Sequence, residues 1–128
     1  MILADNGRAL VVDCGLSEEL LDESLAGMQR HFGLKAIDAV IVTHMHGDHF
    51  VEAPHLRKKW GAKIWVLDNM VDKMEHPEWF DYAAPIQAYG RKNPDGSPMT
   101  GVRVDRALRP GESFDWEGYK FTGDWMPG

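Results

Sequence analysis

Three of the six histidines fall in one short window, His44-Met45-His46-Gly47-Asp48-His49. His44 and His46 are two residues apart, so on an extended segment both imidazoles leave the same side and can grip one metal ion. Asp48 and His49 follow a turn that Gly47 permits, and they can face a second ion. The order H-x-H-x-D-H should arise by chance about once in a thousand chains of this composition, so metal binding outweighs a polar loop with surface histidines. Asp48 has a second reading, as a general base or a positioner of attacking water. Cys14 could supply a thiolate, but it reads more readily as a small buried hydrophobe. His55 reads as a surface residue of a helix and His76, before Pro77, as a turn residue; neither is taken as a ligand.

The elements that must position this window can be read on either side of it. Ile2-Leu3-Ala4 and Ala9 to Asp13 flank the turn signal Asp5-Asn6-Gly7, which predicts a β-hairpin with positive φ angles at Asn6 and Gly7. Ser17 followed by Glu18 and Glu19 predicts a capped helix start. Leu21, Leu25, Met28 and Phe32 form its apolar stripe, and Gly33 ends it. Ile37 to Val42 is short, β-branched and apolar, as expected of a strand buried on both faces. The histidine window follows directly, and open α/β sheets place ligands beyond the carboxyl ends of their strands.

Further on, Val51 to Trp60 predicts a helix with Arg57, Lys58 and Lys59 facing water, and Lys63 to Leu67 a strand. Asn69 to about Tyr82 predicts a helix broken at His76-Pro77. Ala83 to Gly101 predicts a long surface excursion, with Trp79, Phe80, Tyr82 and Tyr89 in or beside a candidate lid. Val102 to Leu108 predicts a strand, and Ser113 to Trp116 with Tyr119 to Thr122 a second hairpin around Glu117-Gly118. Strands alternating with helices indicate an α/β domain with parallel pairing.

At 128 residues the chain is sized for one domain spanning 1–128, and 44% hydrophobic with 27% charged residues is ordinary globular composition. Fourteen Lys and Arg against twenty Asp and Glu leave a net charge of −6. That balance disfavours a nucleic-acid backbone as partner and leaves a small-molecule substrate as the expectation. The single cysteine excludes an internal disulfide, and no apolar run approaches a membrane span. The expected location is the cytoplasm.

Thr43-His44-Met45-His46-Gly47-Asp48-His49 resembles the hallmark loop of the metallo-β-lactamase superfamily. Leu10-Val11-Val12-Asp13-Cys14-Gly15 is similar to the D-x-G strand of that family, and Pro127-Gly128 to the start of its P-G-H segment. The resemblance implies an αββα sandwich of which this chain supplies the first half, a mixed sheet with flanking helices. It implies that His44 and His46 bind one Zn2+ ion, that Asp48 and His49 bind a second, and that Asp13 orients ligand groups from behind. Iron or manganese suit the same donors. The implied chemistry is hydrolysis by a metal-activated water. The third histidine of the family, its bridging acid and its last histidine have no counterpart after His76. The expectation is therefore a fragment cut at both ends, with the hydrolase activity belonging to a longer protein. Uncovered sheet surface would favour self-association. The rival expectation is a non-catalytic metal-binding or interaction fragment with an incomplete site.

Overall fold

The computed structural model describes residues 1–79 and 101–126. The first hairpin pairs β1 (Ile2–Leu3) with β2 (Arg8–Val12) in antiparallel register. Its turn differs from the sequence expectation in one residue. Gly7 alone takes a positive φ, of 87°, while the Asn6 side chain accepts from the Arg8 N–H and closes the turn at an ordinary φ. Gly7 cannot carry a Cβ here, since one would meet the Gly33 carbonyl at 2.6 Å.

Helix α1 (Glu18–Phe32) starts where the Ser17 side chain accepts from the Leu20 N–H and ends at Gly33, whose φ of 74° no branched residue would adopt readily. Leu25 is buried and Leu21 and Met28 pack beside it, but Phe32 is 67% exposed. The stripe therefore stops a turn before the helix does. Strand β3 (Ala36–Ile41) then pairs parallel to β2, followed by α2 (Gly47–Phe50), α3 (Ala53–Trp60) and β4 (Lys63–Leu67), which pairs parallel to β3. The helix expected from Val51 begins two residues later, because Pro54 fits only the first turn. Arg57 does not simply face water; it ion-pairs with Asp105 at 2.6 Å.

Helix α4 is short (Val71–Glu75), set between 3-10 turns at Asp68–Met70 and Pro77–Trp79. His76 caps it and stacks on exposed Trp79 at 3.9 Å. The excursion expected over Ala83 to Gly101, with Phe80, Tyr82 and Tyr89, lies outside the described residues. The strand expected from Val102 is confined to β5 (Arg106–Leu108), parallel to β4. Side chains take the backbone donors that a longer strand would use: Glu75 accepts from the Val104 N–H, and Asp105 accepts from the Ile64 N–H. The second hairpin, β6 (Ser113–Trp116) and β7 (Tyr119–Thr122), turns through Glu117 and Gly118 at φ 48° and 83°.

The main sheet runs β1-β2-β3-β4-β5, and β6-β7 form a second sheet. Alternation along the strands divides the core. Val11, Val40, Ile64 and Val66 face Leu25 of α1 and Leu56 of α3, while Leu10, Ala39 and Leu108 face Phe114 and Trp116 of the second sheet. A register shift between Ala9 and Leu10 leaves Asp38 without an opposite residue, so Ile37 and Val40, three apart, both reach the helix side. The layers are thus helix, sheet, sheet, a mixed α/β architecture with flanking helices. No helix among the described residues is long and apolar enough to cross a membrane.

Candidate metal centre

The chemistry-bearing residues gather where β2 and β3 end. Past Val12 the chain keeps one more bond to β3, from the Asp13 N–H to the Ile41 carbonyl, and then turns at Asp13 with φ 55°. A non-glycine residue in that region costs on the order of 1 kcal/mol, which the surrounding bonds must hold in place. Both the backbone N–H and the thiol of Cys14 donate to the His49 carbonyl, at 3.0 and 3.2 Å. Cys14 is therefore a buried tether of the loop and not one of its exposed donors, as its apolar reading implied.

Beyond β3 the chain bends through His44 to His46 instead of staying extended, and then closes into the single helical turn α2, with the His49 N–H on the His46 carbonyl. Gly47 is buried and begins that turn without a left-handed φ. The turn expected at this glycine is a helical one. Phe50, 4% exposed, anchors the loop in the core.

Four of the five sequence-predicted residues form two pairs of donor atoms. His44 Nε2 lies 3.1 Å from His46 Nδ1, and His49 Nε2 lies 3.3 Å from Asp48 Oδ2. The His44 and His49 rings are 3.8 Å apart between centroids, so the pairs adjoin. Asp13, the fifth, stands behind them. Its Oδ2 is 2.8 Å from His49 Nδ1, although that ring N–H points off the line of a good hydrogen bond. Thr43, which sequence reasoning missed, donates its hydroxyl to Asp13 Oδ2 at 2.8 Å and its backbone N–H to Asp13 Oδ1 at 2.9 Å. The same Oγ1 is 3.0 Å from His44 Nδ1. Only its place beside His44 could have drawn attention to it.

These contacts assign protons. A carboxylate accepts only, so the Thr43 hydrogen goes to Asp13, and Thr43 must accept from a His44 Nδ1–H. That leaves a lone pair on His44 Nε2, facing His46. His49 has no such bond to fix its proton, with Nδ1 off the line to Asp13 and Nε2 3.3 Å from Asp48. Burial, followed by the neighbouring imidazoles of His49 and His46, holds His44 below the ordinary histidine range, against a smaller upward pull from Asp13 and Asp48. His44 is a neutral imidazole near pH 7, the form that binds metals.

A tetrahedral ion with Zn–N distances of about 2.0–2.1 Å separates two of its ligands by about 3.3 Å, so each pair is spaced to share one ion. The donor chemistry fits zinc pair by pair. Among the described residues, however, no group of three or more His, Cys, Asp or Glu is arranged around one point. An open cavity of about 440 Å³ adjoins His44 and Thr43, walled by Leu67, Trp125 and Met126. His55 lies away from the cluster and is more than a surface residue. It bridges α3 to α1 through Asp22 at 2.9 Å and Glu18 at 3.5 Å.

The family description of the metallo-beta-lactamase superfamily matches residues 1–124, and the chain belongs to that superfamily. It is 34% identical over 56 residues to a ribonuclease Z of Clostridium botulinum, a stretch covering 44% of this chain and 16% of that protein. It is 37% identical over 59 residues to a hydroxyacylglutathione hydrolase of Xanthomonas euvesicatoria, covering 46% of this chain and 21% of that one. The native FEZ-1 metallo-beta-lactamase from Legionella gormanii shares the fold, with a TM-score of 0.72 at 21% identity over 99% of this chain and 45% of its own. The chain thus spans less than half the length of that solved structure, and its matches span a smaller share still of those curated relatives.

Proposed function

We propose that this chain carries the metal-holding front of a zinc-dependent hydrolase that directs a metal-activated water at a small-molecule substrate. His44 and His46 hold one ion, and Asp48 and His49 hold the second. The observation that carries this reading is the pair of close approaches at 3.1 and 3.3 Å between imidazole nitrogens and an imidazole or carboxylate partner. These are metal-donor groups at the separation that two ligands of one tetrahedral ion require. Bound there, zinc would lower the pKa of its water toward neutrality and polarise the bond under attack.

The residues of the chain do the rest. The Asp13 carboxylate stands 2.8 Å behind the His49 ring, whose Nε2 faces Asp48. Asp48 presents one carboxylate oxygen to that nitrogen and is the group placed to orient a water or take its proton. The cavity beside His44 gives a substrate access to the donors from the side of Leu67 and Trp125. The net charge of −6 favours a small molecule over a nucleic-acid backbone. A lone buried thiol at Cys14 suits a reducing compartment, so we place the protein in the cytoplasm.

Elemental analysis after zinc loading and desalting tests the reading. Two ions per chain are expected for the protein, and one fewer for His46→Ala and for Asp48→Ala. Equal zinc content in all three would overturn the ligand assignment, and iron or manganese in place of zinc would correct the metal. A non-catalytic, metal-binding fragment is the second reading, favoured by the absence of a three-donor group among the described residues. Retention of fewer than two ions would select it.

A further inference from the structure

We infer that the Thr43 hydroxyl fixes the proton position of the His44 ring, so that the Nε2 it turns toward His46 is the unprotonated nitrogen. This rests on the metal reading above only for its consequence, not for its geometry. Hydrogen bonds run from His44 Nδ1 to Thr43 Oγ1 at 3.0 Å and from that hydroxyl to Asp13 Oδ2 at 2.8 Å, while His49 Nδ1 lies 2.8 Å from the same carboxylate oxygen without a hydrogen bond to it. One hydroxyl has one hydrogen. Given to Asp13, it leaves Thr43 able only to accept from His44, which sets the Nδ1–H tautomer.

The backbone N–H of Thr43 on Asp13 Oδ1 fixes the rotation of the carboxylate, so Oδ2 stays toward His49. Through the His44 bond a residue outside both donor pairs decides which nitrogen of His44 carries the proton. Thr43 is a positioning residue. Threonine is suited to it because its branched Cβ restricts χ1, which an unbranched serine would hold less firmly while keeping the hydroxyl.

The test uses the whole chain with 15N-labelled histidine, as the protein itself, as Thr43→Val and as Thr43→Ser. Ring-nitrogen spectra of the metal-free proteins read the tautomers, amide dispersion checks folding, and competition with a chromophoric chelator reads zinc affinity. We expect His44 to carry Nδ1–H in the protein and in Thr43→Ser, and a mixture of tautomers in Thr43→Val. Zinc affinity in Thr43→Val should fall about tenfold or more for the ion shared by His44 and His46, and recover in Thr43→Ser. An unchanged His44 tautomer in Thr43→Val, or an unchanged zinc affinity there, would overturn the inference. If the unaltered protein holds no zinc, the metal reading fails by itself, and the tautomer comparison alone decides for or against Thr43.

Discussion

The two ends of the same strand pair carry polar clusters of opposite kind. At the start of β2 and β3, Arg8 grips Asp38 with two nitrogens at 2.6 and 3.0 Å, and Trp116 Nε1 donates to the same carboxylate at 2.8 Å. Glu117 takes Arg8 at 3.2 Å and Asn6 at 2.8 Å. Each acceptor there meets a donor, and the cluster clasps the second hairpin onto the main sheet. At the far end of the same strands, His44 meets His46 and His49 meets Asp48, imidazole against imidazole or carboxylate. Among the described residues no Lys or Arg pairs with Asp13 or Asp48. A cluster in which each acceptor meets a donor holds a fold together, and one of imidazoles and carboxylates without Lys or Arg is the candidate for a metal ion.

Asp13→Asn should break the contrast most sharply. The amide would offer an N–H where His49 and Thr43 now find a carboxylate oxygen, so zinc affinity should fall about 10–100-fold with the fold intact. A chelator competition assay reads the affinity and circular dichroism the fold. Asp38→Ala should do the reverse. It strands the indole N–H of Trp116, a residue 9% exposed, and should lower unfolding free energy by about 1–3 kcal/mol. Zinc content should stay unchanged. Denaturant titration beside elemental analysis separates the two effects, and a loss of zinc in Asp38→Ala would show that the ends of the strands are not independent.

The sequence made the open cluster easier to read than the closed one. Histidines and a carboxylate at chelating intervals are rare by chance, and they are local, so composition and spacing suffice. The capped start of α1 at Ser17 and its glycine stop at Gly33 are legible for the same reason. Asp38 and Trp116 are far apart in the chain, and nothing in either neighbourhood marks them as partners. Phe32 continues a helical stripe in the sequence, but it lies at the helix end, where the sheet no longer covers it. Val102 to Asp105 alternates like a strand, yet its Val102 and Val104 donors go to the Met74 carbonyl and the Glu75 side chain, and the Asp105 carboxylate accepts the Ile64 N–H. Thr43 was silent because a hydroxyl reveals a role only when the strand ends bring Asp13 beside it.

A smaller effect sharpens the comparison by pH. Asp105 belongs to the self-satisfied class. Burial would raise its pKa, but the Ile64 N–H and the guanidiniums of Arg57 and Arg103 outweigh it and hold the carboxyl below the usual carboxylate range. A depressed folded pKa contributes stability that is fully present above the unfolded value of about 3.9 and is lost as the pH falls through the folded value. With chelator present to remove any metal, stability should therefore decline as the pH drops below about 4, and Asp105→Asn should flatten that decline while lowering stability at pH 7. Urea midpoints measured from pH 7 to pH 3 on both proteins check the sign. An acid limb equally steep in Asp105→Asn would mean that the Arg57 contact, despite its 2.6 Å length, adds no more than an exposed pair does. The closed networks would then hold the fold through shape and neutral hydrogen bonds, and charge would matter only at the open end.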